Sequence, residues 1–166
     1  DRHNLKTMTG HEIRLAARPK GWPTLDSFAH ATVELPPVAD GQVLVRNLFM
    51  SVDPYMRGRM NDVKSYVPPV QIGEVMVGQT VGEVVASRDP RFAAGDKVLA
   101  SSGWQLYGVA RADDVYRIDV TQAPASYYLG VLGMPGMTAW FGLFDIGAPK
   151  PGETVVVSAA SGAAGS

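Results

Sequence analysis

Between residues 11 and 118 the chain shows no sustained helical period. It offers short runs of strand-forming residues, each closed by proline or glycine. Residues 11–18, 30–35 and 42–52 are such runs, and further strands are expected over 79–87, 97–100, 105–110 and 115–118. Many short strands at this spacing predict a small, partly open barrel. The run 79–87, QTVGEVVAS, alternates, with Val81, Glu83 and Val85 on one face and Gly82, Val84 and Ala86 on the other. A glycine inside such a strand predicts a bend or a close backbone approach at Gly82.

The pattern changes near Pro124. Residues 124–132 and 135–144 are expected to be helices, each with a proline in its first turn, where a missing N–H does no harm. GAPKPG at 147–152 is a rigid connector, and Val155-Val156-Val157 after it is a continuous β-branched run. Such a run fits a strand at 154–157 buried on both faces of a parallel sheet. The expected order is therefore a mainly β barrel domain (1–124), a helical hinge (125–150) and the first strand of an α/β domain (151–166).

Composition narrows the function classes. Hydrophobic residues make up 46% and charged residues 19% of 166, as in an ordinary globular protein with a real core. The net charge is −1, and lysines and arginines are scattered singly, without the basic stripe that nucleic acid needs. The uncharged stretch 127–144 contains four glycines and Pro135, so it reads as two short buried helices and not as a membrane span. There is no cysteine, which suits a cytoplasmic location, and the first residues, DRHNLKTMTGHEIRL, lack the apolar core of a secretion signal. His3, His11 and His30 stand at no metal-ligand spacing, so neither a metal nor a catalytic role is assigned to them.

Three stretches carry chemistry. Ala160-Ser161-Gly162-Ala163-Ala164-Gly165 follows G-x-G-x-x-G with alanine in the first place. In a dinucleotide fold the middle glycine admits the pyrophosphate and the last admits close helix–strand packing. An ordinary small-residue turn is the alternative. In SVDPYMRGRM (51–60) a turn at Asp53-Pro54 followed by one helical turn gathers Tyr55, Met56 and Arg59. A phenol and the guanidiniums of Arg57 and Arg59 can donate to a carbonyl or a phosphate, or simply sit in solvent on a capped turn. Tyr66 lies in the proline-stiffened loop SYVPP, either lining a site or as a surface aromatic.

SVDPYMRGRM, LGMPGMTAWFGLFDIG (132–147) and PGETVVVSAASGAAGS together resemble the zinc-free medium-chain dehydrogenase/reductases. The closest resemblance is to the leukotriene B4 dehydrogenase/prostaglandin reductase branch, with its plant alkenal and bacterial curcumin reductases. It extends from about residue 12 onward. It implies a GroES-like catalytic barrel with a helical hinge, then the start of a truncated Rossmann α/β domain, the chain being the N-terminal portion of a longer enzyme and inactive alone. The implied activity is NADPH-dependent reduction of the C=C bond of a small enone or enal, without zinc. Tyr55 and Tyr66 would be the catalytic residues, a further tyrosine coming from outside this stretch. Met134 and Thr138 would touch the nicotinamide, and Gly162, Ala163, Ala164 and Gly165 the pyrophosphate. A cytoplasmic homodimer is implied for the full-length protein. Quinone reduction, and a binding module acting through the apolar 127–144 surface, are the competing readings.

Overall fold

A computed structural model describes residues 8–165, so His3 lies outside the described residues. The chain divides into two compact units, Asp1–Arg117 and Ile118–Ser166. In the first, β1 (Thr9–Leu15) and β2 (Phe28–Glu34) form an antiparallel hairpin with Leu15 opposite Phe28. Five further strands form an antiparallel sheet: β3 (Gln42–Met50), β4 (Thr80–Ser87), β5 (Lys97–Ala100), β6 (Tyr107–Arg111) and β7 (Tyr116–Arg117). Their order is β6-β3-β4-β5-β7. The mainly β architecture and the strand positions follow the sequence pattern, with ends displaced by a residue or a few.

Two groups of buried side chains hold this unit. Val43, Val45, Val84, Val98, Ala100 and Val115 pack together inside the sheet. Leu15, Met60, Val70 and Met76 form a second group, with Phe28 stacked on Trp104 at 5.5 Å. Each buried valine, leucine or methionine here stabilises the fold by about 1.5–3 kcal/mol through the area it removes from water. Backbone bonds from Ile13 N to Trp104 O (2.8 Å) and Leu15 N to Glu74 O (2.9 Å) tie the hairpin to the same region.

The alternation read from β4 holds only in part. Val81 and Val84, expected on opposite faces, are both fully buried. The cause is irregular pairing: Leu44 and Val45 face Ala86 and Val84, while Asn47 and Phe49 face Gly82 and Val81. Val85 and Leu48 are thus left without partners, and such bulges bend and twist a sheet so that each face is covered at a different place. The close approach expected at Gly82 is present. A Cβ there would overlap the Val45 side chain and lie 2.6 Å from the Arg46 carbonyl oxygen.

The second unit differs more from expectation. Residues 124–132 form a 3-10 turn over Ala125–Leu129, not an α-helix. The next helix, α2 (Met134–Trp140), is shorter than expected and passes into a π-helical turn over Phe141–Gly147. Gly136 is required there, because a Cβ would run into the Val131 carbonyl oxygen. Ala148 is left-handed (φ 43°) and precedes Pro149, which disfavours continued helix. The strand expected at 154–157 is not formed, and Val155, Val156 and Val157 are exposed. A strand exists through its ladder, and among the described residues nothing pairs with this run. No described helix is long and apolar enough to cross a membrane.

Candidate active site

Asp53 and Pro54 turn the chain out of β3, and α1 (Tyr55–Arg59) follows with Pro54 at its start. The Met56 N–H donates to the Asp53 carbonyl (3.1 Å), and the Ser51 hydroxyl donates to the Asp53 carboxylate. Met56 and Met60, one helical turn apart, are buried and fix the helix to the core. Tyr55 and Arg59, also one turn apart, occupy the neighbouring stripe and are half-buried. The sequence therefore sorts α1 into an anchoring face and a presenting face.

Two arginines from different places lock this geometry. Arg57 donates to the carbonyls of Pro19 and Gly21 (2.9 Å each) and to Asn61 Oδ1 (2.7 Å). Arg18 donates to the Met60 carbonyl at 2.8 Å and the Val70 carbonyl at 3.2 Å, capping the end of α1 with a cation. Sequence reasoning offered Arg57 as a ligand donor or a solvated arginine, and it is neither. Arg18 was missed altogether; nothing near it in the sequence marks a partner 42 residues away.

Tyr55 and Tyr66 lie close enough to influence each other electrostatically. Burial, then the Asp53 carboxylate, push the Tyr55 phenol above its ordinary value, Arg59 opposing. Tyr55 thus stays protonated across the neutral range, which leaves its hydroxyl able to donate a hydrogen bond. Tyr66 is 92% exposed on the loop after α1, whose return is pinned by the Val70 N–H donating to the Arg59 carbonyl at 2.9 Å.

The remaining sequence-selected residues belong to the second unit. Met134 opens α2, half-exposed, and the Thr138 hydroxyl donates to its carbonyl at 2.9 Å, so that donor is held within the helix. Gly162, Ala163, Ala164 and Gly165 form tight turns, with the Gly162 N–H on the Ala159 carbonyl (2.8 Å) and the Gly165 N–H on Gly162 (3.1 Å). The N–H groups of Ala163 and Ala164 donate to no backbone acceptor among the described residues. A Cβ at Gly165 would lie 2.6 Å from the Ala159 carbonyl oxygen, so the turn demands glycine there. Free N–H groups in a glycine-dependent turn fit a phosphate-bearing cofactor.

A feature that sequence reasoning did not find is an apolar groove of about 470 Å³, lined by His11, Ile13, His30, Leu48, Phe49 and Leu106 among others. The His11 and His30 rings stack there at 5.2 Å, with His11 Nδ1 and Thr32 Oγ1 3.2 Å apart. Among the described residues no three His, Asp or Glu side chains converge as a metal site.

The first unit, a hairpin beside a five-stranded antiparallel sheet, carries Tyr55 on a short anchored helix, and a helical unit follows it in the chain. Residues 11–118 match a family described as the N-terminal domain of oxidoreductase, and the chain belongs to that family. It is 51% identical over 151 residues to an NADPH-dependent curcumin reductase of Escherichia coli (strain K12), covering 91% of this chain and 44% of that protein. Prostaglandin reductase 1 of Bos taurus is 44% identical over 149 residues, covering 88% and 43% respectively. The crystal structure of CurA from Vibrio vulnificus in complex with NADPH is 49% identical with a TM-score of 0.86, covering 93% of this chain and 46% of that one. The chain spans less than half the length of each of these relatives.

Proposed function

We propose that this chain is the substrate-binding portion of an NADPH-dependent reductase acting on the C=C bond of α,β-unsaturated ketones and aldehydes. The observation that carries the reading is Tyr55: a phenol held protonated, half-buried, on a helix fixed by two buried methionines and two arginines. When bound, NADPH supplies the hydride. As the β-carbon of the substrate is reduced, the electron pair of the double bond moves toward the carbonyl oxygen. Tyr55 donates its hydrogen bond to that oxygen, an interaction that strengthens as negative charge develops. Tyr66, exposed on its loop, is on this reading free to cover the bound substrate. On this reading Met134 and Thr138 face the nicotinamide side, and Gly162, Ala163, Ala164 and Gly165 hold the pyrophosphate through free N–H groups.

The chain's similarity to curcumin and prostaglandin reductases supports the assignment. The reading extends to a barrel domain over 1–124, a hinge over 125–150, the start of the cofactor domain over 151–166, and a zinc-independent cytoplasmic homodimer at full length. The test is incubation of the full-length protein with NADPH and either benzylideneacetone or a simple quinone. Formation of the saturated ketone supports enone reduction. Turnover of the quinone alone assigns the quinone-reductase alternative, and turnover of neither sinks the reading.

A second reading has its own observation. Val131, Met137, Trp140, Phe144 and Ile146 are all exposed in the second unit, an apolar surface that a binding module would use. Sedimentation of the chain as a monomer at high concentration would count against self-association through that surface.

A further inference from the structure

Arg57 and Arg59 stand two residues apart on α1, yet the fold treats them differently. The Arg57 guanidinium donates to two backbone carbonyls and an asparagine. Arg59 carries the same fork of donors and forms no ion pair among the described residues. Its Nε is buried and has no hydrogen-bond partner. That buried atom is closed to a ligand, but the two Nη groups at the outer end of the fork are not buried with it and make no hydrogen bond among the described residues, so they are the donors left for an acceptor from outside the chain.

The neighbouring carboxylates are directed elsewhere. Asp53 accepts from the Ser51 hydroxyl, and Asp62 lies 3.9 Å from Arg18. Arg59 therefore keeps its positive charge unneutralised beside Tyr55, one turn along the presenting face of α1. At that spacing the two Cβ atoms are about 5–6 Å apart, so one small molecule can reach both side chains. A guanidinium fork matches a carboxylate in a planar, two-bond geometry, and partial burial makes the pair stronger than one on open surface.

We propose that Arg59 binds a carboxylate on the substrate whose carbonyl Tyr55 holds, so that the site prefers enones bearing a carboxylate over their neutral esters. The inference rests on the reading of Tyr55 given above and adds to it a determinant of substrate choice. Tyr55 acts on the reacting carbonyl; Arg59 selects and orients the molecule that carries it.

The experiment compares para-carboxybenzylideneacetone with its methyl ester as substrates of the full-length protein, wild type and Arg59→Met, with NADPH. The acid is expected to be favoured in kcat/KM, and Arg59→Met to reduce the acid-to-ester ratio by about tenfold or more. Arg59→Lys keeps the charge without the fork and is expected to retain part of the preference; it also carries the test should Arg59→Met fail to fold. Added salt should erode the preference of the wild type and not that of Arg59→Met. An unchanged acid-to-ester ratio in the variants overturns the inference, as does an equal loss on both substrates, which would make Arg59 structural. Turnover of neither substrate by the wild type fails the underlying reading, and the inference with it.

Discussion

The Nη2 of Arg57 donates to the carbonyl oxygen of Pro19 at 2.9 Å, across 38 positions of sequence, and its Nε reaches Gly21 at the same distance. This contact makes the loop after β1 the floor on which α1 rests, and α1 is what presents Tyr55. Arg57→Met is therefore expected to destabilise the protein by about 0.5–1.5 kcal/mol, since it removes hydrogen bonds to two backbone carbonyls that water can in part replace. Arg57→Lys, without the fork, should fall between. Urea unfolding checks this, and a variant within about 0.5 kcal/mol of wild type would show that the helix does not depend on the tie.

Two glycine substitutions should separate sharply. Gly82→Ala places a methyl group against Val45 and 2.6 Å from the Arg46 carbonyl oxygen, in a strand paired on both sides. Overpacking of that kind costs about 1–3 kcal/mol. Gly58→Ala, within α1, meets nothing within 4 Å. Alanine's better helix propensity there should be neutral or stabilising by up to about 1 kcal/mol. Thermal melting of both variants reads the contrast, and equal midpoints would contradict it.

In the full-length protein Tyr55→Phe is expected to lower kcat by about tenfold while changing KM less, because the donor matters most as charge develops on the substrate oxygen. The wild type should show no loss of kcat through neutral pH, with any decline only above the ordinary phenol value of 10.0, since burial and Asp53 raise Tyr55. That alkaline limb should vanish in Tyr55→Phe. Unchanged kinetics would reduce Tyr55 to a packing residue.

Acid should weaken the fold through a specific pair. Hydrogen bonds from Arg91 hold the Asp89 carboxyl at about 2, below its ordinary 3.8. A carboxyl lowered in the folded state stabilises it fully above the unfolded value and loses that contribution as pH falls through the folded one. Wild type should therefore melt above Asp89→Asn at neutral pH, and the two curves should converge between about pH 4 and pH 2. Curves that stay parallel throughout would mean the pair contributes nothing.

Much of the fold was legible because it is written locally. Strand positions in the first unit follow from β-branched runs and turn residues, which bias the backbone before any tertiary contact forms. The demand for glycine at Gly82 was readable for the same reason, since a missing side chain inside a strand usually marks a bend or a close backbone contact. The DPYMRGR turn placed Tyr55 and Arg59 together because helical spacing is a local rule.

What the sequence by itself determined, then, is the mainly β architecture, the helical turn that carries Tyr55, and the glycine-dependent turn at 162–165. Only the tertiary structure decided the rest. It assigned Arg57 to backbone carbonyls and left Arg59 unpaired among the described residues, stacked His11 on His30 across the hairpin, and put Val81 and Val84 both in the core. It also left 154–157 without a ladder, although its composition suits a strand. Each of these outcomes depends on a partner distant in sequence: a carbonyl, a facing ring, a bulge in the neighbouring strand, a strand to pair with. Local propensity can bias a residue's conformation, but it cannot name the group across the fold that satisfies it.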